Sequence, residues 1–192
     1  LQGVGSERRV TMGTPDVSSF EPDVAVSGDR FAITWYERLA DGRHQVQLAL
    51  FDRNAELLKQ SVISDPGRDG RIPVLVALDS GYFIAWVDSD FSAASNNERR
   101  QVVGLRLDSD INGVGQAQVL AQASATTLNL NAASQNDRIW LVFNAEFETG
   151  ASEVYLVSVA ADAVASQRLS ADDNHSSTYP DIAIRQELAA LS

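Results

Sequence analysis

Three marks recur along the 192-residue chain in the same order and at nearly the same interval. The first is the end of an apolar run: Ala32-Ile33-Thr34-Trp35, Phe83-Ile84-Ala85-Trp86 and Trp140-Leu141-Val142-Phe143, with the closing aromatics 51 and 57 residues apart. The second is a short opening stretch at Pro22–Val26, Pro73–Ala77, Asn129–Ala133 and Pro180–Ile184, spaced by 51, 56 and 51 residues. The third is an alternating stretch that ends in a turn, Val46–Asp52, Val102–Asp108 and Val154–Ala160, at spacings of 56 and 52. A unit of roughly 53 residues is one supersecondary element, too small to bury its own apolar surface. It must stack on its neighbours.

Each unit reads as four strands. In the first unit they are Val24–Val26, Arg30–Tyr36, Gln45–Phe51 and a fourth near Leu57–Ile63. Tight polar turns such as Ser27-Gly28-Asp29 and Asp79-Ser80-Gly81 separate strands one and two. No segment carries sustained helical periodicity with caps. In the second unit Tyr82, Ile84 and Trp86 share one face of strand two, and Phe83, Ala85 and Val87 share the other. An antiparallel strand with one wet face alternates apolar and polar residues. Apolar residues on both faces predict a small sheet covered on both sides, with Trp35, Trp86 and Phe143 packed between sheets. The expected fold is all-β: a β-propeller with about three complete four-stranded blades, near 20–64, 71–121 and 127–170. Partial blade strands are expected at 7–12 and 179–192. These pieces do not add up to a closed ring, which predicts a fragment of a longer polypeptide or a chain completed by a partner.

The repeated outline is Pro, a short strand, a Gly/Asp turn, an apolar strand ending in Trp, a polar loop, an alternating strand, then Asp with Asn or Gly. It runs through Pro22–Asn54 and Pro73–Gly113 and, without the Pro and Trp, through Asn129–Asp162. This outline resembles the repeats of bacterial secreted β-propeller proteins, including the large multi-repeat proteins of myxobacteria. The resemblance implies a propeller that serves as a binding platform, a lectin or a hydrolase.

Fifteen Lys and Arg against 26 Asp and Glu leave a net charge of −11. Nucleic acid and anionic membrane surfaces need a positive field, so neither is expected as a partner. Cysteine is absent, which removes disulfides, thiolate metal sites and thiol catalysis. The longest apolar run, Ile72–Leu78, is far short of the roughly 20 residues of a membrane helix. Acidity and the lack of cysteine suit an extracellular, periplasmic or cell-surface setting.

The stretch Asp108-Ser109-Asp110-Ile111-Asn112-Gly113 matches the first half of a calcium loop, so Asp108, Asp110 and Asn112 are candidate ligands for a hard cation. The twelfth position is Val119 rather than Glu, which leaves out the bidentate ligand; no other cofactor is expected. His44 and His175 read as loop residues. Asp88 with Asp90, and Asp172 with Asp173, read as solvated loop charge. No HExxH, G-x-S-x-G or glycine-rich phosphate loop occurs. The loops after strand two each carry an apolar residue, Leu39, Phe91 and Phe147. With Tyr36 they are candidates for a binding rim.

These observations predict a non-enzymatic, exported propeller segment acting as a protein-binding or assembly scaffold, its partner being another protein or further blades. The alternatives are a glycan-binding propeller and part of a propeller hydrolase whose catalytic residues lie outside the chain.

Overall fold

The computed structural model describes residues 9–11, 17–90, 100–123, 127–146, 151–160, 163–171, 173 and 175–184. Twelve strands form three four-stranded antiparallel sheets, and no helix occurs among the described residues. The first sheet holds β1 (Ser19–Ser27), β2 (Arg30–Arg38), β3 (His44–Asp52) and β4 (Leu57–Val62). The second holds β5 (Asp69–Leu78), β6 (Gly81–Ser89), β7 (Arg100–Leu107) and β8 (Gly113–Ala123). The third holds β9 (Thr127–Gln135), β10 (Arg138–Glu146), β11 (Ser152–Val159) and β12 (Val164–Arg168). Within each sheet, strands adjacent in sequence are adjacent in space.

The all-β class and the four strands per repeat match the expectation. The opening strands are longer than Val24–Val26 suggests, because pairing starts before the Pro and continues through a bulge. The β1–β2 register shifts between Phe20 and Asp23, and the β5–β6 register between Arg71 and Val74. In both cases the residue before Pro has a left-handed backbone, Glu21 at φ 47° and Ile72 at φ 52°. Tyr179, ahead of Pro180, repeats it at φ 58°. The proline has no N–H to give to the ladder and bars its predecessor from the helical region, so an extra residue is bulged out there. The Asp after each of Pro22 and Pro180 then accepts the next residue's N–H, Asp23 Oδ1 from Val24 and Asp181 Oδ1 from Ile182, both at 2.8 Å. Residues 9–11 and 179–184 form no strand.

The sheets stack face to face. Ala25, Ala32, Val46, Leu48 and Leu50 of the first sheet pack against Leu75, Tyr82, Ile84, Trp86, Val103 and Leu107 of the second. The other face of the second sheet presents Val74, Val76, Phe83, Ala85 and Val102 to Leu130, Ile139, Leu141, Phe143 and Val157 of the third. All nine residues of β6 are buried. Trp86 and Phe143 thus lie between sheets. Trp35 does not: it faces away from the second sheet, in a cluster with Ala49 and Phe51 against which Val10 packs. The opening strands run side by side, β1 against β5 and β5 against β9. Asp23 Oδ2 accepts the Leu75 N–H at 2.7 Å across the first of these seams, and Ser134 Oγ donates to the Ala77 carbonyl at 2.7 Å across the second. Asn131 Nδ2 in turn donates to the Pro180 carbonyl at 2.8 Å, which places the fourth copy of the opening stretch beside β9.

Gly104 shows how closely the second sheet is filled. A Cβ there would lie 2.5 Å from Phe83 Cζ and 2.7 Å from Leu120 Cδ1. Gly104→Ala is therefore expected to cost about 1–3 kcal/mol through overpacking. Gly113→Ala, where the nearest atom would be 3.6 Å away, is expected to stay within about 0.5 kcal/mol of wild type. Urea denaturation of the two variants checks this; equal midpoints would contradict it.

Candidate functional site

One buried carboxylate organises the polar end of the seam between the first and second sheets. Asp69 opens β5 and is 2% exposed. Its Oδ1 accepts the His44 backbone N–H at 2.6 Å and stands 2.9 Å from His44 Nδ1. A carboxylate at that distance calls for a proton on Nδ1. Asp69 Oδ2 lies 2.7 Å from Nε of Arg71, two residues along the same strand face. A single carboxylate thus holds an imidazole and a guanidinium side by side, with their outer nitrogens unused among the described residues. A buried carboxylate is costly unless paired; here Oδ1 takes the two His44 contacts and Oδ2 faces the Arg71 guanidinium as an ion pair without a hydrogen bond at Nε.

Aromatic rings wall the cluster. Tyr36, near the end of β2, stacks on Phe20 with centroids 5.2 Å apart and meets the His44 ring edge-on at 5.3 Å. Burial pushes the Tyr36 hydroxyl above its ordinary value; nearby Glu21 adds to this and Arg71 opposes it. Beyond His44 the chain turns tightly. The Leu39 carbonyl accepts the Gly42 N–H at 3.0 Å, Arg43 pairs with Asp41, and Arg43 Nη1 donates to the Pro66 carbonyl.

Of the four proposed rim residues, Tyr36 lies in this cluster and Leu39 is half-buried in the adjoining turn. Phe91 and Phe147 lie outside the described residues. His44 is no loop residue: it is the first residue of β3, tied twice to Asp69. Asp88 is not solvated loop charge either. It is buried on β6, where Arg68 Nε and Gln101 Nε2 donate to its Oδ2, while exposed Asp90 takes Arg68 Nη1 at 2.8 Å. Asp69 and Arg71 were missed because the sequence reads as a linker there. Their i, i+2 spacing, which puts both on one strand face, is the signal that could have found them.

The calcium-like hairpin faces cations that belong to the protein. Asp108 Oδ1 accepts the N–H groups of Asp110 and Asn112 at 2.9 and 2.8 Å, as Asp52 Oδ1 does from Asn54 and Glu56 in the first sheet. Ile111 and Ala55 share the same left-handed φ, 55° and 61°. Lys59, the chain's single lysine, places Nζ 2.5 Å from Asn112 Oδ1 and 3.1 Å from the Asp110 carbonyl. Arg30 Nη1 is 2.7 Å from Asp110 Oδ1. A divalent ion would have to displace that ammonium. No group of three or more His, Cys, Asp or Glu that could hold a metal occurs among the described residues.

Two clefts lie away from this end. One of about 360 Å³ is lined by Asp79, Ser134, Asn136 and Asp137 at the hairpin ends of β5 and β9. The other, about 240 Å³, lies on the free face of the third sheet around Trp140, with Arg138 over the ring at 5.3 Å. Neither gathers groups with acid–base reach comparable to His44 and Asp69.

Neither a protein-family model nor a curated protein matches the chain. Solved structures that do are two variants of Synechocystis apocarotenoid oxygenase (ACO), at 11% and 12% identity and TM-scores of 0.46 and 0.47, and an ACO/RPE65 chimera at 11% and 0.43. Each match covers 77% of this chain and 38% of the other, so the chain spans well under half of those proteins. At such scores the likeness carries over no residue, substrate or partner. The expected non-enzymatic scaffold is nevertheless corrected: the chains that align with this one are an oxygenase and its chimera. That expectation had rested on missing catalytic motifs, and a constellation joined across two sheets leaves no motif.

The hairpin carboxyls make a pH prediction. Asp108 is held below the usual carboxylate range by the Asn112 side-chain amide and then by its backbone N–H; for Asp52 the Glu56 N–H is the main cause. A value lower in the folded than in the unfolded chain stabilises fully above about pH 4, and that contribution is lost as the pH falls below it. Between about pH 4 and pH 3, wild type should lose more of its thermal midpoint than Asp108→Asn. Parallel losses in calorimetry would contradict this.

Proposed function

We propose that the three sheets are consecutive blades of a β-propeller and that its chemistry resides at the polar end of the first seam, with His44 as a general base. The propeller reading is supported by the face-to-face stacking and by the row of opening strands β1, β5 and β9, with Pro180–Ile184 beside them. Likeness to secreted bacterial propeller repeats belongs to the same reading, on the outlines at 22–54 and 73–113.

The observation that carries the site is the pairing of His44 Nδ1 with a carboxylate that is itself almost fully buried. An imidazole so bound has a fixed tautomer and ring orientation. The ring retains some exposure, with 12% of its side-chain area open to solvent, so a small molecule can reach it. Phe20 and Tyr36 restrict water on one side, and Arg71 supplies a positive charge beside the ring. The arrangement fits proton abstraction from, or hydrolysis of, a small polar molecule bound over His44 and Arg71.

Two measurements test this. Long-range ¹⁵N NMR should show His44 protonated on Nδ1 at neutral pH, and Asp69→Asn should move the proton to Nε2. With p-nitrophenyl acetate, which needs only an activated imidazole, wild type should exceed His44→Gln by at least about tenfold. Equal turnover, or an Nε2-protonated ring in wild type, would overturn the assignment.

A further inference from the structure

We infer that the same cluster is a receptor for a small oxyanion, a carboxylate or phosphate group bridging Arg71 and protonated His44, with the Tyr36 hydroxyl as third donor. This rests on the reading of His44 above. Three donor-bearing side chains from three strands converge there: Tyr36 from β2, His44 from β3 and Arg71 from β5. No hydrogen bond or ion pair engages the outermost polar atom of any of the three among the described residues. Asp69 engages Arg71 only at Nε, and the Arg71 side chain is 36% exposed. The two terminal Nη groups are thus left as a fork, the geometry that takes an oxyanion in a bidentate manner. Because Asp69 also holds His44 by Nδ1, the imidazole and the fork are fixed in relative position before any ligand arrives. Such preorganisation removes the ordering cost of binding.

His44 joins the fork as a donor only when Nε2 is protonated. Binding of an anion is then coupled to uptake of one proton, which comes from solvent and goes to Nε2. Affinity therefore falls as the pH rises. The other charges in reach are Asp69 on β5, Glu21 on β1, Arg38 on β2, which stands opposite His44 in the β2–β3 register, and Asp41 and Arg43 in the turn before β3; Asp69 lies within electrostatic reach of both Tyr36 and Arg43. With His44 protonated the cationic groups Arg38, Arg43, His44 and Arg71 exceed the anionic Asp41, Asp69 and Glu21 by one charge. With it neutral the cluster carries no net charge, in a protein at −11. The proton therefore decides whether an anion is welcome.

The test is NMR titration of the whole chain with sodium acetate and, separately, inorganic phosphate, at pH 6 and pH 8 and constant ionic strength. The His44 ring and Arg71 Nε–H signals report binding. Saturable shifts with a Kd on the order of 1–10 mM at pH 6 are expected, weakening by at least about tenfold at pH 8. Arg71→Gln should lose at least about tenfold in affinity. His44→Gln should bind weakly at both pH values. Preference between acetate and phosphate identifies which oxyanion the site takes. No saturable shift up to 100 mM (about ten times the weakest expected Kd) overturns the inference, as does equal binding by Arg71→Gln. If the His44 tautomer is as stated and neither anion binds, the receptor fails and the general-base reading stands. If Nε2 is already protonated at neutral pH, the general-base reading falls, and the receptor stands or falls on the two anion titrations.

Discussion

The inner strands of the second sheet have no wet face, and the rest of the molecule follows from that constraint. Buried apolar surface contributes about 25 cal/mol per Å², and a four-stranded sheet of roughly 53 residues cannot cover both of its own faces. Tyr82, Ile84 and Trp86 demand a neighbour on one side, and Phe83, Ala85 and Val102 demand one on the other. The neighbours are built to be covered in the same way. Small residues such as Ala25 and Ala32 on the first sheet make room for the rings of the second. Gly104 does so within the second sheet, where Phe83 passes over the backbone. Close approach also brings the opening strands side by side, so that Asp23 can accept the Leu75 N–H across the seam.

The repeat was legible because packing between equivalent sheets requires the same residue types at the same register. The aromatic that closes strand two, the alternating third strand and the Pro-led opening strand all reflect that requirement, and they predict strands where strands occur except at Pro180–Ile184, which forms none. The hairpin turns were legible too: Asp52 and Asp108 organise theirs by the same pair of N–H contacts. What was not legible depends on pairs joined across sheets. His44 and Asp69 are 25 residues apart and belong to different repeats. Lys59 and Asn112 are 53 apart. Neither pair has a local signature, so His44 read as loop and the contact of Lys59 with the Asp108 hairpin could not be seen. Asp88 was misjudged because a charged residue inside a strand looks like its end. In fact β6 continues through it, with Arg68 and Gln101 supplying the donors.

Structure and candidate chemistry meet in Asp69. It ties the start of β3 to the start of β5 through the His44 backbone, a clasp across the seam, and the same carboxylate orients the His44 ring and Arg71. A group that only clasped would need neither side chain. A group that only oriented them would not need the backbone contact. Combining the two roles on a nearly inaccessible carboxylate makes the geometry of the ring as rigid as the seam itself, which is the condition for a positioned base.

The bulge before each proline then accounts for why the site sits at this end. It is the one place where β1 and β5 depart from regular pairing, at Glu21 and Ile72, and Tyr179 ahead of Pro180 shares the left-handed backbone. Bulges re-aim side chains and release them from the constraint of fitting a flat interface. Phe20 and Arg71 precede the bulge by the same step and occupy equivalent positions in their repeats, yet one is an aromatic wall and the other a guanidinium fork. Positions between the sheets have to resemble one another from repeat to repeat. Those beside the bulge are released from that demand, and they supply the unlike residues, Phe20, Glu21 and Arg71, that gather around His44.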